Sequence, residues 1–233
     1  MQTQHAVVSR PQWEAARETL LSREKALTRS QDALARERLD LPWVLVNKAY
    51  QFQSAHGPLG LADLFGGNSQ LIIYHFMYGP DWEEGCVGCS FLADHLDSAI
   101  THLRHHDVSV VAVSRAPFAK LDAFKRRMGW RFDWLSSEGC DFNFDMHASV
   151  PLADGSVEER SGASAFFRDP DGEIFHTYSA FERGVERLVG AYNYLDFAPL
   201  GRNENGPHFN LGDWVRHHDR YDDAKPASCH ACA

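Results

Sequence analysis

Cys86 and Cys89, spaced Cys-x-x-Cys, follow an apolar run and open a helical pattern in Glu83-Glu84-Gly85-Cys86-Val87-Gly88-Cys89-Ser90. One helical turn brings two such sulfurs within bonding reach, and a helix start favours the negative charge of a thiolate. This points to reversible dithiol–disulfide chemistry. A thiolate attacks an oxidised sulfur, a mixed disulfide forms, and the second thiol resolves it. Glu83 and Glu84 oppose ionisation, because like charge disfavours a second anion nearby. A second pair, Cys229-His230-Ala231-Cys232, lies in a stretch opened by Pro226-Ala227-Ser228. Such terminal stretches are usually poorly ordered, so a tail with exposed thiols is its first reading. An electron relay from Cys229 and Cys232 to the first pair comes second, and a four-thiolate zinc site third.

His75 and His176 fall on expected strands. A lone strand histidine is ordinarily a satisfied core residue; the alternative is a metal site of Cys86, Cys89 and His176. Cys140 reads as a small buried apolar residue. His102, His105 and His106 suit the end of a helix, and His217-His218 is read the same way. No phosphate loop, dinucleotide fingerprint or nucleophile elbow is found, so no organic cofactor is expected.

The elements that must position these residues read as an alternation. Residues 11–38 form a long charged helix with a thin apolar stripe of Trp13, Ala16, Leu20, Leu27 and Leu34. That stripe is a solvent-washed face or a candidate homodimer contact. Residues 41–46 and 50–52 are short strands, and 71–76 is a buried central strand. Residues 90–106 form a helix, 108–113 a strand, 118–128 a helix and 132–135 an edge strand. Residues 136–160 read as a long irregular insertion. Asp169-Pro170-Asp171-Gly172 joins strands at 163–168 and 173–178 as a hairpin, and 181–194 is the last helix. The strand–helix–strand–helix order implies a parallel pair with a crossover. Three parts follow: an N-terminal helical extension over 1–40, an α/β domain over 41–200, and a C-terminal arm and tail over 201–233.

The 233 residues carry a net charge of -9 and 44% apolar residues, which fits a globular chain and offers no basic footprint for nucleic acid. With no apolar leader and no membrane-length apolar run, the expected setting is cytoplasmic. Five cysteines, unevenly placed, argue against a disulfide scaffold.

Three segments together carry a resemblance. They are Leu64-Phe65-Gly66-Gly67-Asn68-Ser69-Gln70-Leu71-Ile72-Ile73-Tyr74-His75-Phe76-Met77, Pro80-Asp81-Trp82-Glu83-Glu84-Gly85-Cys86-Val87-Gly88-Cys89-Ser90 and Phe166-Phe167-Arg168-Asp169-Pro170-Asp171-Gly172-Glu173-Ile174-Phe175-His176-Thr177-Tyr178-Ser179. The chain resembles a bacterial thioredoxin-like family of unknown function. The resemblance implies a thioredoxin-like α/β fold, a central mixed sheet flanked by helices. It implies Cys86 as the exposed attacking thiol and Cys89 as the buried resolving one. Asp81, Trp82, Ala163 and Ser164 would then shape a substrate groove. The place of the usual cis-proline falls near Gly162-Ala163-Ser164, where no proline stands; this weakens a general protein-disulfide reductase and favours metal. The expected function is a thiol-disulfide oxidoreductase acting on a thiol or disulfide substrate, a protein among the candidates. A copper- or zinc-handling protein and a non-catalytic scaffold are the alternatives.

Overall fold

A computed structural model describes residues 5–222. The chain divides into two compact units, residues 1–42 and residues from Trp43 onward. In the first, helix α1 spans Arg10–Leu39. Ser9 caps it, with its N–H donated to Gln12 Oε1 at 3.0 Å; proline stands in the first turn, and Arg36 and Arg38 in the last. No residue of α1 is buried, and Trp13, Leu20, Leu27 and Leu34 are exposed.

The second unit is built on one sheet. Its elements are β1 (Val44–Leu45), β2 (Gln51–Ser54), β3 (Gly57–Gly60), β4 (Gln70–His75), α2 (Val87–Ala93), α3 (Leu96–Arg104), β5 (Val108–Ser114), α4 (Phe118–Arg127), β6 (Asp133–Ser136), α5 (Phe142–Asp145), β7 (Ser149–Pro151), β8 (Val157–Glu159), β9 (Gly162–Arg168), β10 (Ile174–Phe181) and α6 (Gly190–Phe197). Eight strands order as β1-β10-β9-β4-β5-β6-β2-β3, and β7 and β8 form a separate hairpin. β4 and β5 are parallel, as are β5 and β6, whereas β9 is antiparallel to β4 and β10 to β9. A central parallel pair joined by helices, with an antiparallel hairpin beside it, is a thioredoxin-like arrangement.

Side chains alternate along β4 and so divide the core in two. Leu71 and Ile73 pack on one face with Phe52, Phe65, Phe142 and Phe166. Tyr74 packs on the other with Phe76, Cys89, Phe91, Trp134 and Tyr192. Each fully buried large apolar side chain contributes about 1.5–3 kcal/mol, so both faces hold the sheet.

Several elements differ from the sequence reading. The helix expected over 90–106 breaks between α2 and α3 at Asp94-His95, where His95 Nδ1 donates to Phe91 O at 2.8 Å and Nε2 accepts the Ala191 N–H at 3.0 Å. β6 lies inside the sheet between β5 and β2, not at its edge. The insertion over 136–160 contains α5 and the β7–β8 hairpin. The last helix is a 3-10 turn over Glu182–Leu188 followed by α6. Cys140 is half-buried at the margin of the core.

Candidate active site

The chain leaves β4 and returns to α2 through a loop over residues 76–86. Cys86 is the residue before α2, with its N–H donated to Met77 O at 3.1 Å. Gly85 lets the loop pass Phe76: a Cβ at this position would lie 2.7 Å from the Phe76 ring. The Cys86 sulfur accepts the Cys89 N–H at 3.5 Å, and the Cys89 sulfur accepts the Met77 N–H at 3.4 Å. The two cysteines thus meet through the Cys89 N–H and the Cys86 sulfur, one turn apart at the start of α2. Cys86 is 6% exposed and Cys89 1%, so the expectation of an exposed Cys86 is corrected: both thiols are buried. Burial pushes the Cys89 thiol up. Hydrogen bonds from the Cys86, Ser161 and Tyr74 side chains and from the Met77 N–H outweigh it and hold the thiol below its ordinary range.

Both cysteines line a cavity of about 520 Å³. Tyr74 and Ser161 line it too, their hydroxyls 3.2 Å apart. Its wall carries five glutamates (Glu158, Glu159, Glu182, Glu186 and Glu204) against two arginines. Phe209, Asn210 and Leu211 of the C-terminal arm close one side. The approach is tight: a Cβ on Gly88 would come 3.1 Å from Leu211.

The arm is tied to the loop beside the thiols. His217 is buried and donates through Nε2 to Gly85 O at 3.0 Å. Glu84 pairs with Arg127 at 2.6 Å and Arg220 at 2.5 Å, and Asp219 with Arg127 at 2.8 Å. Burial raises the Glu84 carboxyl, but the Arg220 hydrogen bond and the charges of Arg127 and Arg220 hold it below its ordinary range. Its charge is thus met by two guanidinium groups, which blunts the opposition to thiolate formation expected from the sequence.

The other expected site residues are scattered. Ala163 packs on the thiol face, whereas Ser164 lies on the far face, bonded to His75 Nε2 and Ser179 Oγ, each at 2.7 Å. Asp81 is exposed and Trp82 half-buried, and neither lines the cavity. His176 also lies on the far face: its ring meets Phe166, and its Nε2 bonds Ser179 Oγ at 2.7 Å. It therefore does not join the thiols as a metal ligand. Among the described residues no group of three or more His, Cys, Asp or Glu is placed to hold a metal. Cys229 and Cys232 lie outside the described residues. Tyr74, Ser161 and His217 were not singled out as partners of the thiols. The signals available were the alternation that puts Tyr74 opposite His75, and the place of Ser161 just before β9.

The sheet order, with a cysteine pair at the start of the helix after its central strand, defines a thioredoxin-fold protein. The chain belongs to the family described as bacterial protein of unknown function (DUF899), whose profile matches residues 2–221. No curated protein matches it. Similar solved structures include PrxQ from Xylella fastidiosa, at 15% identity over 67% of this chain and 94% of that one, with a TM-score of 0.46. Peroxidoxin BcpB from Mycobacterium tuberculosis is 14% identical over 66% and 97%, and Xanthomonas campestris peroxiredoxin Q 13% identical over 65% and 94%, both with TM-scores of 0.46. No described helix is long and apolar enough to cross a membrane.

Proposed function

We propose that the chain is a thiol-dependent reductase in which Cys86 and Cys89 cycle between dithiol and disulfide. The pairing of the two cysteines at the start of α2, both on the wall of one cavity, carries this reading. No organic cofactor enters, since sulfur holds both electrons. A reducing compartment such as the cytoplasm suits a pair that must be returned to the dithiol.

The test is a redox titration of the full chain in dithiol buffers, read by alkylation and peptide mass spectrometry. Cys86 and Cys89 are expected to oxidise together as a two-electron couple within roughly -120 to -270 mV. Cys86→Ser is expected to abolish turnover, and full retention of reducing activity would overturn the reading. The burial of both sulfurs favours a second reading, a scaffold with inert thiols. Thiols that never pair in native protein would select it.

A further inference from the structure

Two cysteine pairs share one spacing, and the C-terminal arm carries the chain of the second to the first. The arm lies along α2. Leu211 stands against Gly88, the Trp214 and Phe91 ring centroids are 5.4 Å apart, and His218 bonds Asp94 at 2.7 Å. His217 bonds Gly85 O, next to Cys86, and Arg220 bonds Glu84, two residues before it. Because His217 is buried, this attachment belongs to the packed unit. The chain that runs on from Arg220 therefore sets out beside the dithiol.

Reach follows from covalent geometry. Cys229 lies nine residues beyond Arg220 and Cys232 twelve. A stretch of nine residues spans at most about 30 Å, whereas the two from Glu84 to Cys86 span at most about 7 Å. Cys86 and Cys89 thus lie within the reach of Cys229.

Charge permits the approach. The cavity wall carries five glutamates against two arginines. From Ala224 to Ala233 the sequence holds Lys225 and His230 and no acidic side chain. This stretch meets the wall without like-charge repulsion.

Burial supplies the need. Cys86 is 6% exposed and Cys89 1%, so a dithiol fixed on the surface of a folded reductant does not align with either. A dithiol on a single strand of chain enters where a folded surface does not. Tethering also makes the exchange intramolecular, at an effective concentration on the order of mM.

We propose that Cys229 and Cys232 are the immediate electron donors to the oxidised Cys86–Cys89 pair and dock in the cavity that holds it; this rests on the redox reading of the first pair. A tail thiol loses its proton and attacks one sulfur of the Cys86–Cys89 disulfide. An S–S bond forms between tail and core, the core S–S bond breaks, and the electron pair leaves on the other core sulfur, which takes a proton. The second tail thiol then loses its proton and attacks the tail sulfur of the mixed disulfide. The Cys229–Cys232 bond forms, the mixed bond breaks, and the remaining core sulfur leaves with the electron pair and takes a proton. The core has gained two electrons and two protons, and the tail has lost them. An external dithiol returns the tail to its reduced form.

The experiment uses the 233-residue protein with its thiols oxidised, and two reductants: free dithiothreitol, and dihydrolipoamide immobilised on agarose beads, which cannot enter the cavity. Alkylation and peptide mass spectrometry follow each pair. Cys229→Ser/Cys232→Ser is expected to slow reduction of Cys86–Cys89 by the beads at least ~10-fold, and by free dithiothreitol less than ~2-fold, given the roughly 10²–10⁴ that tethering can supply. The step that depends on the tail is expected to keep its rate on dilution. An unchanged rate with the beads, or equal slowing with both reductants, overturns the inference. A rate that falls with protein concentration assigns the tail to a second copy and overturns it as well, as does stoichiometric zinc blocking all four thiols. Cys89→Ser/Cys232→Ser gives a second measurement. In a glutathione redox buffer its Cys229 is expected to pair with Cys86 in preference to Cys140, and no preference overturns the inference. Should the first pair cycle with free dithiothreitol and ignore the tail substitutions, this inference falls and the redox reading stands. A first pair that never closes its disulfide removes both.

Discussion

The Ser161 hydroxyl bonds the Tyr74 oxygen at 3.2 Å and is one of the groups that hold the Cys89 thiol below its ordinary range. Replacing it with alanine removes a donor from the thiolate and leaves the burial of Cys89 unchanged. A hydrogen bond to a charged group is worth about 1.5–3 kcal/mol, and one pKa unit is about 1.4 kcal/mol. Ser161→Ala is therefore expected to raise the lower apparent pKa of the pair by roughly 1–2 units. Ultraviolet absorbance of the thiolate across a pH titration measures it, and an unchanged titration would show that Ser161 does not bear on the sulfur. Cys86 and Cys89 were legible in the sequence because their relation is local, one helical turn. Tyr74 and Ser161 were not, because their meeting depends on sheet register: Tyr74 pairs with Ala163 and His75 with Gly162 across β4 and β9. A shift of one residue would send Tyr74 to the far face.

The strands and helices around the site were largely readable, since β4, β5, α4 and the β9–β10 hairpin each carry their own period or turn signal. The misses share a cause. The apolar spacing of Leu92, Leu96, Ile100 and Leu103 runs through Asp94-His95 without a gap, and the break there is made by His95 bonding to Ala191, far along the chain. The C-terminal arm carries no period at all; its position comes from contacts to Gly85, Glu84 and Asp94. Those contacts are unequal. Arg220 and Glu84 are both substantially exposed, and such pairs are worth about 0–1 kcal/mol. His217 is buried, and its loss strands the buried Gly85 carbonyl at a cost of about 1–3 kcal/mol. The arm should therefore open through loss of His217 more than through loss of Arg220. Iodoacetamide labelling of Cys86 in reduced protein is expected to rise roughly 10-fold or more in His217→Ala and less than ~5-fold in Arg220→Ala. The reverse order would place the hold of the arm in its ion pairs.

For the whole molecule, pH acts first through histidines that folding keeps neutral. His75 is fully buried between Phe142 and Phe181, accepts or donates only to Ser164 Oγ, and its Nδ1 has no partner among the described residues. Burial, with His176 nearby, pushes it down to about 3. Burial lowers His176 and His217 as well. In the unfolded chain each protonates near pH ~6.5. Below that pH the unfolded state binds protons that the folded state refuses, so stability falls as pH falls, until the folded pKa is reached. His75 alone contributes a slope of about 1.4 kcal/mol per pH unit from pH ~6.5 downward. Two effects could mask it. Carboxylates held low by partners, such as Glu84, lose stability only near and below their own unfolded range, about 4.3, so they stay silent above pH ~5. Acidification also reduces the net charge of -9, which relieves self-repulsion and acts in the opposite direction. That second effect is spread over the surface and screened by salt, whereas the penalty of a buried imidazole is not. At moderate salt the urea midpoint is therefore expected to fall between about pH 6.5 and pH 5. His75→Gln, which keeps a polar group for Ser164 and cannot take the proton, is expected to remove about one proton's worth of that slope. A slope unchanged in the variant would mean that His75 accepts a proton in the folded chain, and that the polar chain through Ser164, Ser179 and His176 can hold the charge.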